Sequence, residues 1–158
     1  MNAAQPTLNP TTYTETGMKI LIAIDGSKSA LQAVKYAIGL GGALAQAPHI
    51  TLVTVHDETG LRHLAKHLPK DGLDDYFRQV SERDLKPARK LLDKAHLAHD
   101  MVIKFGNVVE EILGTASAGK FDVIVLGSKG RSGFGDLVLG SVAQRVCALS
   151  KQPVVLVK

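Results

Sequence analysis

Tryptophan is absent, cysteine occurs once, and aromatic residues make up 4% of the 158-residue chain. The single cysteine, Cys147, can form no internal disulfide, which fits a reducing compartment. It sits beside Val146 and Ala148 with nothing nearby to lower a thiol pKa, so it is expected to be a small buried hydrophobe. No apolar run approaches the roughly 18 residues of a membrane-spanning helix, so no membrane partner is expected. Residues 1–17 (MNAAQPTLNPTTYTETG) lack both a basic start and an apolar stretch. No secretory signal is read there, and a cytoplasmic location is expected.

Charge of one sign is not concentrated either. The formal net charge is +4, with 7 basic and 7 acidic side chains in residues 1–79 against 12 and 8 in residues 80–158. The excess is spread through mixed-sign stretches such as residues 81–94 (SERDLKPARKLLDK). A nucleic-acid surface needs a clustered basic face, usually with aromatic stacking platforms, so nucleic acid is disfavoured as a partner.

What the sequence does contain is alternation of strand and helix patterns. After a leader at 1–17 expected to be flexible, residues 19–24 (KILIAI) form a β-branched apolar run that stops at the turn Asp25-Gly26-Ser27. Ser27 or Ser29 can cap the following helix, on which Ala30, Val34, Ala37 and Ile38 recur at helical spacing. That helix is expected to end among the small residues 41–47, before Pro48. Residues 49–55 (HITLVTV) give a second strand, and residues 73–99 a long helical pattern interrupted by Pro87, which would kink it or mark a restart. Further strands are read at 100–104, at 121–126 (FDVIVL) and at 153–157 (PVVLV). Between them lie helices at 108–118, begun at Asn107, and at about 140–149. The pattern predicts a single α/β domain over residues 18–158, a doubly wound five-stranded parallel sheet with helices on both faces. In such folds ligands sit beyond the carboxyl ends of the strands, here just after Ile24, Val55 and Leu126.

The stretch after the fourth strand is rich in glycine: Gly127, Gly130, Gly133 and Gly135 fall within nine residues. Exposed main-chain amides in such a loop can form a concave anion site. Gly140-Ser141-Val142 then opens a helix whose free amides and positive dipole end favour a phosphate. Ser141 could add a hydroxyl, and Lys129 and Arg131 positive charge. The loop is neither a Walker loop nor a dinucleotide fingerprint, and a glycine-rich loop with no ligand is the plain alternative. Asp25, at the end of the first strand, could reach a sugar hydroxyl or Mg²⁺. It could equally be a turn aspartate bonding its own backbone.

These residues resemble the nucleotide-binding branch of the universal stress proteins. The branch carries Gly, two residues, Gly, nine residues, then Gly followed by Ser or Thr, a spacing that Gly127, Gly130, Gly140 and Ser141 match without a gap. Asp25-Gly26-Ser27, Val55-His56-Asp57 and the terminal Pro153–Val157 extend the resemblance over residues 18–158. It implies a Rossmann-like domain that binds ATP with a divalent metal, Mg or Mn, in a homodimer acting in stress response. Under that resemblance Asp25 would lie beside the ribose or a phosphate-bound metal, and the backbone around Ala23 and Val55 would meet adenine. Gly127, Ser128, Gly130, Arg131, Gly140, Ser141 and Val142 would surround the phosphates. The strand Pro153–Val157 would pair with its counterpart across the dimer.

Other signals carry less. His63 and His67 share a helical face with His56 nearby, yet no ligand pattern is completed, and solvated histidines are expected there and at His96 and His99. Gly-x-Ser-x-Gly is absent. No general base is evident near the expected γ-phosphate, so a nucleotide-dependent regulatory protein with at most slow ATP hydrolysis is the reading of function. Two alternatives remain, a dimeric adaptor without nucleotide and an enzyme that cleaves ATP between its α and β phosphates. Such enzymes usually carry a Ser-Gly-Gly-x-Asp-Ser type loop where this chain has Asp25-Gly26-Ser27-Lys28-Ser29.

Overall fold

A computed structural model of the chain describes residues 17–57, 70–131 and 139–158, with the backbone alone for residues 70–74. The leader up to residue 16, His63, His67 and residues 132–138 of the glycine-rich loop lie outside the described residues. The elements run β1 (Lys19–Ala23), α1 (Lys28–Ala43), β2 (His49–His56), α2 (Lys70–Lys94), β3 (His99–Phe105), α3 (Val108–Ala118), β4 (Val123–Gly127), α4 (Ser141–Leu149) and β5 (Val154–Val157).

All strand pairs are parallel, and the sheet order is β3-β2-β1-β4-β5. Successive residues of a strand face opposite sides, which explains why the central strands are apolar throughout. Ile20, Ile22 and Ile24 pack on one side with Val34 of α1 and Leu85 and Leu92 of α2. Leu21 packs on the other with Val109 and Ile112 of α3 and Val146 of α4. Full burial of each such Leu or Ile contributes roughly 1.5–3 kcal/mol, and these two layers hold the helices to the two faces. The result is the expected doubly wound, Rossmann-like single domain.

Local signals set the helix starts. Ser27 caps α1, its Oγ accepting from Ala30 N at 3.1 Å. Asn107 caps α3, its Oδ1 accepting from Val109 N and Glu110 N at 3.1 and 3.2 Å. The long helix departs from expectation at its C-terminal end. It runs through Pro87 without a break and stops at Lys94, because buried Leu85, Ala88 and Leu92 hold it to the sheet across the missing amide. The chain then turns through His96 at a φ of 53°, with Leu97 N donating to Leu92 O at 3.1 Å, so β3 begins at His99. Cys147 is also placed differently, exposed rather than buried. The short helix α4 buries only Ala143 and Val146, and one further residue rotates about 100° off that narrow stripe.

The order of connections creates the site. From β1 the chain moves through β2 to β3 on one side, then returns to place β4 and β5 on the other side of β1. The loops leaving β1 and β4 therefore diverge, opening a crevice at the carboxyl end of the sheet.

Candidate functional site

The first wall is the turn from β1 into α1. Asp25 Oδ1 accepts from Ser27 N at 2.9 Å, the self-bonded turn geometry of an aspartate in Asp-Gly-Ser. A Cβ placed on Gly130 would lie 3.4 Å from Asp25 Oδ2. The two expectations for Asp25 are thus compatible: one oxygen holds the turn while the other faces the glycine-rich loop.

The second wall is the loop from β4 to α4. A Cβ on Gly127 would strike Ser29 Oγ at 2.5 Å and Ala30 N at 2.8 Å, so only glycine lets the start of α1 approach this closely. Ser29, the other candidate cap, instead donates to Val157 O at 3.4 Å and accepts from Lys129 N at 3.3 Å. Ser128 is buried; its N donates to Val157 O at 2.7 Å and its O accepts from Gly140 N at 2.8 Å. That last bond brings the two ends of the glycine-rich stretch together. Gly140 caps α4 in an extended conformation with no side chain to accept the first-turn amides, leaving them available to an anion.

Between these walls lies a cavity of about 310 Å³, at the small end of ligand pockets. Strands and α3 give it apolar lining, through Ala23, Val53, Val55, Val108, Ile112 and Leu126. The loop after β1, the loop after β4 and the start of α4 give it Asp25, Lys129 and Arg131, the glycines Gly130 and Gly140, and Ser141 and Val142. Of the candidates named from the sequence, all but Ser128 border the cavity. Ser128 lies beneath it and acts through its backbone. Val108 and Ile112 were not among those candidates, since on α3 they carry only the periodic signal of ordinary core residues.

The charge arrangement includes a residue that the sequence does not single out. Arg131 Nε donates to Asp25 O, and its Nη2 donates to Asp84 Oδ2. Asp84, on α2, is buried with 5% side-chain exposure and also pairs through Oδ1 with Arg83 Nε at 3.0 Å. His56, at the end of β2, is half-buried rather than solvated. Its ring lies 5.1 Å from that of Phe77 and 5.5 Å from that of Phe105, and its Nε2 shares a 2.7 Å hydrogen bond with buried Ser81 Oγ. Burial holds the His56 pKa below its ordinary value of 6.5; Asp84 opposes that shift and Arg131 adds to it. His99 is also tied down rather than solvated, with Nδ1 bonded to Leu97 O at 2.9 Å. Among the described residues, no three His, Cys, Asp or Glu side chains gather into a metal site, and no helix is long and apolar enough to cross a membrane.

A doubly wound parallel sheet with a glycine-walled cavity at its switch point defines a Rossmann-like α/β protein with a ligand-type crevice. Within that class the chain belongs to the universal stress protein family, whose model matches residues 18–158. Universal stress protein YxiE of Bacillus subtilis is 29% identical over 149 residues, spanning 89% of this chain and 98% of that one. Universal stress protein MJ0531 of Methanocaldococcus jannaschii is 30% identical over 145 residues, spanning 89% and 81%. The structure of hypothetical protein MJ0577 superposes with a TM-score of 0.76 at 26% identity, covering 89% of this chain and 94% of that one. Two more distant structures share the fold. One is a universal stress protein in complex with cAMP (TM-score 0.57, 24% identity, 90% and 97% covered). The other is an Arabidopsis thaliana family protein with AMP bound (TM-score 0.63, 15% identity, 89% and 91% covered).

Proposed function

We propose that the cavity binds an adenine nucleotide, ATP with a divalent cation, and that the protein works as a nucleotide-dependent regulatory dimer in stress response. The observation that carries this reading is that one cavity joins two chemistries, apolar side chains from the strands and glycine-rich, charged loop residues. A planar base suits the apolar lining around Ala23, Val53, Val55 and Leu126. A phosphate chain suits the loop-built part, lined by Gly130, Lys129, Arg131 and the first turn of α4, whose amides have no side-chain cap. Asp25, which lines the same cavity, would meet a ribose hydroxyl. The two fold relatives described with cAMP and AMP are consistent with an adenine nucleotide in this architecture.

The donor set fits a cation that arrives with the phosphates. Asp25 is the one carboxylate bordering the cavity among the described residues, and its Oδ1 already accepts from Ser27 N. One carboxylate cannot cage a divalent ion by itself, whereas Asp25 would suffice to help hold a Mg²⁺ or Mn²⁺ that arrives with the phosphates. Such an ion would neutralise phosphate charge. On this reading hydrolysis of the bound nucleotide is slow at most.

For the dimer, the support is β5. It lies at the sheet edge, partly buried along all four residues, and is paired to β4 on one side. An apolar β-branched edge of this kind offers main-chain groups to a second copy. Native mass spectrometry of freshly purified protein tests both parts at once. The expected result is a two-subunit species carrying an adenine nucleotide. A protein that retains none, and that takes up none from millimolar ATP, overturns the nucleotide reading, and a monomer at micromolar concentration overturns the dimer.

A further inference from the structure

We infer that Asp84 is a positioning residue for the phosphate end of the cavity: it holds the Arg131 guanidinium in place and so favours a nucleoside polyphosphate over a monophosphate. This rests on the nucleotide reading of the pocket. Asp84 does not border the cavity and lies outside the glycine pattern, 47 positions from Arg131.

Through Arg131 the geometry links three segments: the turn after β1, α2 and the loop after β4. Arg131 follows Gly130 at the mouth of the crevice, and its side chain is 55% exposed. An arginine so placed would ordinarily sample many rotamers and lose that freedom on gripping a ligand. Here Nε is fixed on the carbonyl of Asp25 and Nη2 on Asp84 Oδ2. A guanidinium has five donors, so both engagements leave the Nη1 hydrogens for an anion. The anchor cannot follow the loop. Asp84 Oδ1 is held by Arg83 Nε at 3.0 Å, the space beside the carboxylate is too tight for a Cβ on Gly26, and α2 is fixed to the sheet by Leu85, Ala88 and Leu92. The position of Arg131 is therefore set from the core. The trio Arg83, Asp84 and Arg131 sums to one positive charge, so an approaching phosphate is attracted despite the carboxylate. AMP, with one phosphate, places less charge near this arm than ATP does.

The test is calorimetric titration of the full chain with ATP, AMP and adenosine in the presence of Mg²⁺. The variants are Asp84→Asn, which keeps the shape and removes the charge; Arg131→Lys, which keeps the charge and removes the bridging fork; Arg131→Ala; and the double variant Asp84→Asn/Arg131→Ala. Asp84→Asn and Arg131→Lys should each weaken ATP binding roughly threefold to tenfold, the scale of one side chain's ordering, with AMP and adenosine within about twofold of wild type. The double variant should bind ATP no more weakly than Arg131→Ala alone, because the two residues act as one unit. An unchanged ATP-to-AMP ratio in either single variant, or tighter ATP binding by Asp84→Asn, overturns the inference and leaves the pocket reading standing. Wild-type protein that binds none of the three ligands overturns both. Should circular dichroism show Asp84→Asn unfolded, the exposed Arg131→Lys decides: a retained ratio overturns the inference and a lost ratio supports it.

Discussion

A Cβ placed on Gly26 would lie 2.7 Å from Asp84 Oδ1, and Gly26 itself sits at a φ of +79°. The turn that presents Asp25 to the crevice is therefore built on a position closed to other residues for two independent reasons. Left-handed backbone costs an L-residue roughly 1–2 kcal/mol, and the added methyl would push on a carboxylate that Arg83 and Arg131 already fix. Gly26→Ala should lower unfolding stability by more than the backbone cost alone, read as a shifted urea midpoint at unchanged slope. A loss below about 0.5 kcal/mol would show that this turn is freer than its geometry indicates.

Gly140 should be limited by ligand rather than by fold. Its backbone is extended, with φ −61° and ψ 147°, a region that valine accepts readily. A Cβ there would stand 3.4 Å from Gly130 N, in ordinary contact with the protein but over an amide proposed to meet phosphate. Gly140→Val should melt close to wild type and lose at least about tenfold in ATP affinity, near 1.4 kcal/mol. Wild-type affinity in a titration would place the phosphates elsewhere.

Leu92 and Cys147 both lie in apolar helical segments, and the structure separates them. Leu92 is fully buried between α2 and the sheet, whereas Cys147 is exposed on α4. Leu92→Ala should cost about 2–5 kcal/mol through lost contact and a residual cavity. Cys147→Ser should change stability by less than about 0.5 kcal/mol. Thermal or urea unfolding of the two variants checks the contrast directly.

That contrast marks where sequence patterning stops being informative. The sheet was readable because a strand buried on both faces must be apolar at every position, as residues 20–24 and 123–126 are, and because Ser27 and Asn107 are cap residues at the right places. The cavity walls were readable for a related reason: Asp25, Gly127 and Gly140 lie at strand ends or helix starts that the alternation already fixes, and Gly130 lies in the loop that joins them. Features that depend on side chains meeting across the fold were not. Asp84 reads as one more charge on a solvated helix until Arg131 is brought to it, and His56 reads as a surface histidine until the rings of Phe77 and Phe105 and the hydroxyl of buried Ser81 are brought against it. The end of α2 was hidden because the left-handed turn falls on His96, where a glycine would have announced it.

His56 yields the pH dependence. Its pKa is lowered in the folded protein, chiefly by burial; Asp84 opposes the shift and Arg131 reinforces it. The unfolded chain, with histidine at its ordinary 6.5, therefore binds more protons than the native state as pH falls through and below that value. Stability must then drop on acidification in this window, and recover fully above it. His56→Gln keeps a polar partner for Ser81 Oγ and removes the titration. The melting temperature of wild type should fall further than that of His56→Gln between about pH 8 and about pH 5.5, the range in which histidine is the side chain that changes charge. Carboxylates common to both proteins cancel in the comparison. Equal losses, or a larger loss in the variant, would mean that folding does not lower the His56 pKa.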